Sequence, residues 1–277
     1  MHTLGELRSL LDAHGLSPKK SLGQNFLIDR NLGKKLVDEA GVGAGDLVLE
    51  VGPGAGALTE LLLERGCEVI ACEMDGGLAE LLRERFAEQH ADRFTLIEGD
   101  CLAGKRALNP AIVDALRGRS FTMVANLPYN AASPLMAVLL TDFPNCRAQF
   151  VTIQKEVGER LGAKPGTKEY GALGVLAQAL ATVRRVAVLP PECFWPRPGV
   201  TSAMVELKRR ADPFTDDPKK LGALCHALFS QRRKQIGSTL GRDHPLPEGV
   251  THDMRPEQMT VQQFCGLSKV WTGRDAA

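Results

Sequence analysis

From residue 45 onward the chain repeats one pattern, a short β-branched or aliphatic run followed by an amphipathic stretch. Leu47 to Val51 leads to Leu58 to Arg65 closed by Gly66, then Glu68 to Cys72, then Leu78 to Gln89. Further apolar runs follow at Phe94 to Ile97, Phe121 to Ala125 and Gln149 to Ile153. Strands alternating with helices at this spacing predict an α/β fold, with a parallel sheet covered by helices on both faces. Val183 to Leu189 and Ser202 to Leu207 read as two more strands, separated by the Pro-rich loop Pro190 to Gly199, and predict an antiparallel edge. After Arg210 the texture changes. Asp212 to Pro218 is a polar linker, and beyond it the apolar spacing Leu221, Leu224, Cys225, Leu228, Phe229 is helical. Residues 1–210 are therefore expected to form one domain and 211–277 a small helical second one. Arg255-Pro256-Glu257 can open a last helix carrying Met259, Val261, Phe264 and Leu267.

A chain of 277 residues buries a sizeable core. Its longest apolar runs, such as Leu61 to Leu63 and Val186 to Pro191, fall far short of a bilayer span. Glu6 and Asp12 occupy the N-terminal segment where a charged-then-apolar leader would lie, so a soluble, cytoplasmic protein with no membrane partner is expected. The seven cysteines contain no CxxC pair, and the six histidines share no ligand spacing on a helix face. Reduced core thiols and no metal are expected.

The net charge of +1 conceals a division. Residues 46 to 100 hold 13 Asp and Glu against 4 Lys and Arg, a balance of −9, which leaves +10 for the remainder. Basic clusters stand at Lys19-Lys20, Arg184-Arg185, Lys208 to Arg210 and Arg232 to Lys234. Each alone reads as a solvated face; together they favour a polyanionic partner.

Within the acidic block, Glu50-Val51-Gly52-Pro53-Gly54-Ala55-Gly56 ends a strand, turns, and opens a helix. Glycines at Gly52 and Gly54 let a ligand approach the backbone, and the helix start offers N–H groups. The spacing is GxGxG, poorly matched to a dinucleotide's pyrophosphate cradle and better suited to S-adenosylmethionine, which has no pyrophosphate. Glu73, 21 residues after Gly52, can accept from both ribose hydroxyls, and Asp100, at the end of the third strand, from the cofactor's adenine amine. Three carboxylates (Glu50, Glu73, Asp100) at successive strand ends strengthen that reading.

The fourth strand runs into Asn126-Leu127-Pro128-Tyr129. For an exocyclic amine as nucleophile, the Asn126 side-chain oxygen and a backbone carbonyl held by Pro128, that of Leu127, can each accept an N–H, orienting the amine for attack on a methyl group. Tyr129 offers a ring on which an unstacked base can lie. A plain helix-entry turn with a buried tyrosine explains the tetrapeptide equally well in isolation. No strong base is needed, because the ammonium product is acidic enough to lose its proton after transfer.

These residues resemble the bacterial small-subunit rRNA adenine dimethyltransferases, the KsgA family, over nearly the whole chain. The resemblance rests on Lys19 to Leu27, the EVGPGAGALT turn, Asn126 to Tyr129 with Ser133-Pro134, Gln154 to Val157 with Arg160-Leu161, Pro165-Gly166, Tyr170-Gly171, the Phe194-x-Pro196-x-Pro198-x-Val200-x-Ser202 block, and Phe229 to Lys234. It implies a Rossmann-like class I methyltransferase sheet and S-adenosyl-L-methionine as cofactor. It further implies cofactor contacts from Asn25 and Leu27 beside Gly52, Glu73, Asp100 and Asn126, and a target adenine sandwiched between Tyr129 and Phe194. The implied substrate is a pair of adjacent adenosines in the 3′-terminal hairpin of 16S rRNA, each dimethylated on an immature 30S particle during ribosome biogenesis, by a monomer whose helical domain binds RNA. Ala131-Ala132, Gly199 and Thr201 depart from the family's usual residues without touching the acceptors.

Three other readings compete. The erythromycin-resistance methyltransferases of large-subunit rRNA share the turn and the tetrapeptide, but are typically more basic than a chain of pI 7.6. A non-catalytic ribosome-assembly factor would not need intact Glu73, Asp100 and Asn126. A nicotinamide-dependent oxidoreductase is disfavoured by the glycine spacing.

Overall fold

The computed structural model describes residues 3–104 and 106–273; the last four positions of the expected second domain, 274–277, lie outside the described residues. In chain order the elements are α1 (Leu4–Ala13), β1 (Phe26–Leu27), α2 (Arg30–Ala40), β2 (Leu47–Val51), α3 (Ala57–Glu64), β3 (Glu68–Glu73), α4 (Gly76–Leu82), β4 (Phe94–Glu98), α5 (Pro110–Leu116) and β5 (Phe121–Asn126). They continue as α6 (Tyr129–Asp142), β6 (Cys146–Gln154), α7 (Lys155–Leu161), α8 (Ala172–Leu180), β7 (Ala181–Leu189), β8 (Phe194–Trp195), β9 (Ser202–Arg209), α9 (Pro218–Ser230), α10 (Gly237–Leu240) and α11 (Val261–Val270).

The expected α/β sheet is present. Seven strands lie in the order β4-β3-β2-β5-β6-β9-β7, parallel from β4 through β6. The two late strands are antiparallel, β9 pairing with both β6 and β7 so that β7 becomes the edge. Along β2, Leu47, Leu49 and Val51 enter one apolar cluster and Val48 the opposite one, as a pleat requires of a strand covered on both faces. The first cluster is closed by α5, α6 and α8, and the second by α2 and α3.

The apolar core continues across the polar linker. Leu221, Leu224, Cys225 and Leu228 of α9 and Phe264 and Leu267 of α11 join the same cluster as Leu135 and Leu139 of α6. Phe229 stacks on Phe264 at 5.4 Å between ring centroids and meets Tyr170 edge-on at 6.0 Å. Arg255-Pro256-Glu257 opens only a single 3-10 turn; α11 starts later, where the Thr260 hydroxyl and the Gln263 side chain cap each other's amides.

Several expected surface cations are internal ties. Arg209 donates to the carbonyls of Leu139, Leu140, Phe143 and Cys146, satisfying the C-terminus of α6, and burial lowers its pKa. Arg232 donates to the carbonyls of Thr167 and Lys168 and pairs with Glu257 at 3.3 Å. Arg184, although exposed, pairs with Glu39 at 2.6 Å and Glu206 at 2.5 Å. Lys20, Arg185, Lys208, Arg233 and Lys234 stay exposed. No helix of the described residues is long and apolar enough to cross a membrane.

Candidate active site

The chain order reverses between β2 and β5: β3 and β4 are laid down on one side of β2, and β5 and β6 on the other. At such a switch point the loops leaving the two strands diverge and leave a crevice at their carboxyl ends. A cavity of about 630 Å³ lies there, a size suited to a nucleoside-type ligand. It is lined by Asn25, Leu27, Gly52, Gly54, Glu73, Asp100, Asn126, Leu127, Pro128 and Tyr129, so residues from remote parts of the sequence share one cavity.

The floor is the glycine turn. Gly52 and Gly54 have φ of +69° and +60°, and a Cβ at Gly54 would lie 2.9 Å from the Phe26 ring. A side chain there would be strained and would also fill the cradle. Glu73 is buried, and its two carboxylate oxygens accept from the Gly54 amide at 3.0 Å and the Asp75 amide at 2.9 Å. Burial pushes its pKa up, and the two amide bonds oppose that shift. Each oxygen keeps a lone pair for a further donor. Asp100 accepts from the Leu102 amide at 2.9 Å through one oxygen and is otherwise exposed.

Glu50 differs from its two neighbours in role. It is 1 % exposed and accepts the Thr59 hydroxyl at 2.7 Å, which ties α3 to the end of β2. Burial foremost, together with the nearby charge of Glu73, raises its pKa to about 8. The three carboxylates all line the cavity but are not equivalent: Glu50 is a largely internal group tied to Thr59, whereas Glu73 and Asp100 are held by backbone amides.

On the opposite wall, the Leu127 amide donates to the Thr152 carbonyl of β6 at 3.1 Å, anchoring the tetrapeptide to the sheet. The first amides of α6, those of Ala131 and Ala132, both go to the Pro128 carbonyl, and that of Leu127 is not used by either. The Asn126 amide nitrogen donates to the Asn25 carbonyl at 3.0 Å, which leaves its oxygen to face elsewhere. The Tyr129 hydroxyl is 2.8 Å from the Ser202 hydroxyl, and burial raises its pKa. Tyr129 is half-buried and its ring borders the cavity.

Phe194 stands apart. It is 3 % exposed, absent from the cavity lining, and packed in the core on the α2 and α3 side of the sheet. The reason is β8, which pairs antiparallel with β1 and sets Phe194 opposite Leu27 in register. Next to it, Trp195 stacks on Phe26 at 6.3 Å and lies 5.2 Å from the Arg8 guanidinium. The expected sandwich of a base between Tyr129 and Phe194 is therefore not assembled here.

Some contributors were not singled out from the sequence. Asp75 is buried, caps α4, and receives Lys19 and Gln24 from the N-terminal segment. Its Asp-Gly-Gly setting is a helix-start signal that could have marked it. Cys72 and Cys101 also line the cavity; burial raises their pKa values to about 12, so they remain thiols. Among the described residues no group of three or more His, Cys, Asp or Glu could hold a metal ion.

The sequence profile of the family "Ribosomal RNA adenine dimethylase" matches residues 15–272. Ribosomal RNA small subunit methyltransferase A of Phenylobacterium zucineum is 40 % identical over all of this chain and 96 % of its own length. The protein of the same name from Bifidobacterium adolescentis is 39 % identical over 97 % of this chain and 94 % of its own. Among solved structures, a dimethyladenosine transferase from Plasmodium falciparum shares the fold with a TM-score of 0.69 at 22 % identity, covering 86 % of this chain and 94 % of that one. The 23S rRNA methyltransferase ErmE gives a TM-score of 0.64 at 25 % identity, covering 89 % of this chain and 99 % of that one.

Proposed function

The chain belongs to the ribosomal RNA adenine dimethylase family, and on that premise we propose that it dimethylates the exocyclic amines of two adjacent adenosines in the 3′-terminal hairpin of 16S rRNA. The particle acted on is an immature 30S subunit in the cytoplasm, and the enzyme works as a monomer. The near-full-length likeness to small subunit methyltransferases A supports the small subunit over the large one.

The cavity fits S-adenosylmethionine. Its glycine floor admits a ligand where a Cβ would not fit, and Glu73 retains acceptor capacity for ribose hydroxyls. When bound, S-adenosylmethionine supplies the electrophilic methyl group. Asn25, Leu27, Gly52, Gly54, Glu73 and Asp100 would hold it, Glu73 and Asp100 supplying hydrogen-bond acceptors for its hydroxyl and amino groups.

The observation that carries the mechanism is the orientation of Asn126. Because its nitrogen is engaged by the Asn25 carbonyl, its oxygen is the end presented to a substrate amine. That oxygen and the Leu127 carbonyl would accept the two N–H groups of the adenine amine, which fixes the direction of its nitrogen lone pair. Pro128 fixes the turn that holds the carbonyl, and Tyr129 supports the base face. Phe194, buried opposite Leu27, is given no contact with the base in this arrangement. Residues 211–277 and the exposed Arg233 and Lys234 contribute the RNA-facing surface.

The test is mass spectrometry of rRNA nucleosides after unmethylated small subunits are incubated with the protein and labelled cofactor. Dimethyladenosine in the 3′-terminal hairpin is the expected product. Its absence sinks the proposal, and label in large subunits instead selects the erythromycin-resistance type.

A further inference from the structure

Asn126 has two nearly isosteric ends, one donating and one accepting. If its amide were reversed, its nitrogen would oppose the N–H groups of the substrate amine and its oxygen would oppose the Asn25 carbonyl. The Asn25 carbonyl therefore selects the productive orientation, from a position 101 residues away in sequence. Asn25 itself sits on a short irregular segment between a 3-10 turn and the two-residue β1, and so needs an anchor of its own.

That anchor is Gln24. Its amide nitrogen donates to Asp75 Oδ2 at 2.8 Å, and its oxygen accepts from the Lys19 backbone amide at 2.7 Å. Asp75 is 3 % exposed, and its other oxygen receives the Lys19 ammonium at 2.8 Å and the Gly77 amide at 3.1 Å. The Asp75 backbone amide in turn donates to Glu73 at 2.9 Å. One buried carboxylate at the start of α4 thus fixes the segment whose next carbonyl orients the acceptor, and the same turn holds the carboxylate assigned to the ribose.

We propose that Gln24 and Asp75 are positioning residues for methyl transfer: they latch segment 19–25 so that the Asn25 carbonyl holds the Asn126 amide with its oxygen toward the target amine. The inference rests on the reading of Asn126 as the amine's acceptor. A displacement of about 1 Å at a reacting centre costs roughly 100-fold in rate, so a loosened latch is read in kcat even when cofactor still binds.

The experiment measures kcat at saturating cofactor on unmethylated small subunits, alongside the cofactor Kd by calorimetry, for four variants. Gln24→Ala is expected to lower kcat by roughly 10- to 100-fold while changing Kd by a smaller factor. Gln24→Glu sets a carboxylate against Asp75 and should do the same. Combining it with Asp75→Asn restores a donor and acceptor pair and should recover most of the rate, whereas a general loss of folding would lower cofactor affinity alongside kcat. Gln24→Ala with parental kcat, a loss confined to Kd, or no rescue by Asp75→Asn would each overturn the inference. Asn126→Ala separates the two levels. If it keeps the parental rate, the reading of Asn126 has failed; if it is inactive while Gln24→Ala is fully active, the latch alone has failed.

Discussion

The two walls of the crevice are prepared to different degrees. On the cofactor wall, both carboxylates assigned to the ligand already have supporting hydrogen bonds. Glu73 is held by two amides, Asp100 by one, and the glycine floor is bent into a conformation that side chains avoid. On the wall proposed to receive the base, Asn126, Leu127 and Tyr129 line the cavity, but Phe194 is folded into the core. The difference teaches where ordering energy is spent. A site whose groups are held by backbone amides needs little reordering to take a small ligand, whereas a buried ring such as Phe194 contributes to stability and not to the cavity.

The largest expected effect tests that contrast directly. If Phe194 is a core residue in the free protein, Phe194→Ala should cost about 3–5 kcal/mol in denaturant unfolding, in addition to lowering activity. Unchanged stability with a large loss of kcat/KM would mean that the ring already stands outside the core, and the contrast would vanish. Next comes Gly54→Val on the cofactor wall, where both the left-handed backbone and the contact with Phe26 oppose a side chain. Calorimetry should show cofactor affinity falling by roughly 100-fold. Retained affinity would show that the floor is less rigid than its geometry implies.

The smallest effect concerns Glu50. Its pKa of about 8 in the fold lies above its ordinary value of 4.5. Between those values the unfolded chain loses the proton while the folded one keeps it, so this group makes stability fall as pH rises through that window, with no contribution below it. Glu50→Gln removes the slope and keeps an acceptor for Thr59. Its Tm should exceed the parent's by several degrees near pH 9 and differ little near pH 5. A parallel shift at both pH values would show that Glu50 is already ionised in the fold.

Much of this was legible before any coordinates. The strand and helix alternation, the glycine turn, and the carboxylates at successive strand ends are local patterns, and local patterns follow from side-chain periodicity and backbone sterics. The clusters of arginine were legible only as charge. Arg209 and Arg232 look like surface cations in sequence, yet each satisfies helix or loop carbonyls that come from segments far away. The polar linker after Arg210 was readable as a change of texture, but not the continuity of the apolar core beneath it, because a helix pattern does not say which neighbour it packs against.

By itself, then, the sequence determined the sheet, the cofactor turn and the tetrapeptide, since each is written within a few consecutive residues. Three-dimensional packing alone brings the Asn126 amide nitrogen to the Asn25 carbonyl, ties Gln24 to Asp75, and buries Phe194 opposite Leu27. Those are contacts between segments remote in the chain, and their geometry leaves no periodic trace along it.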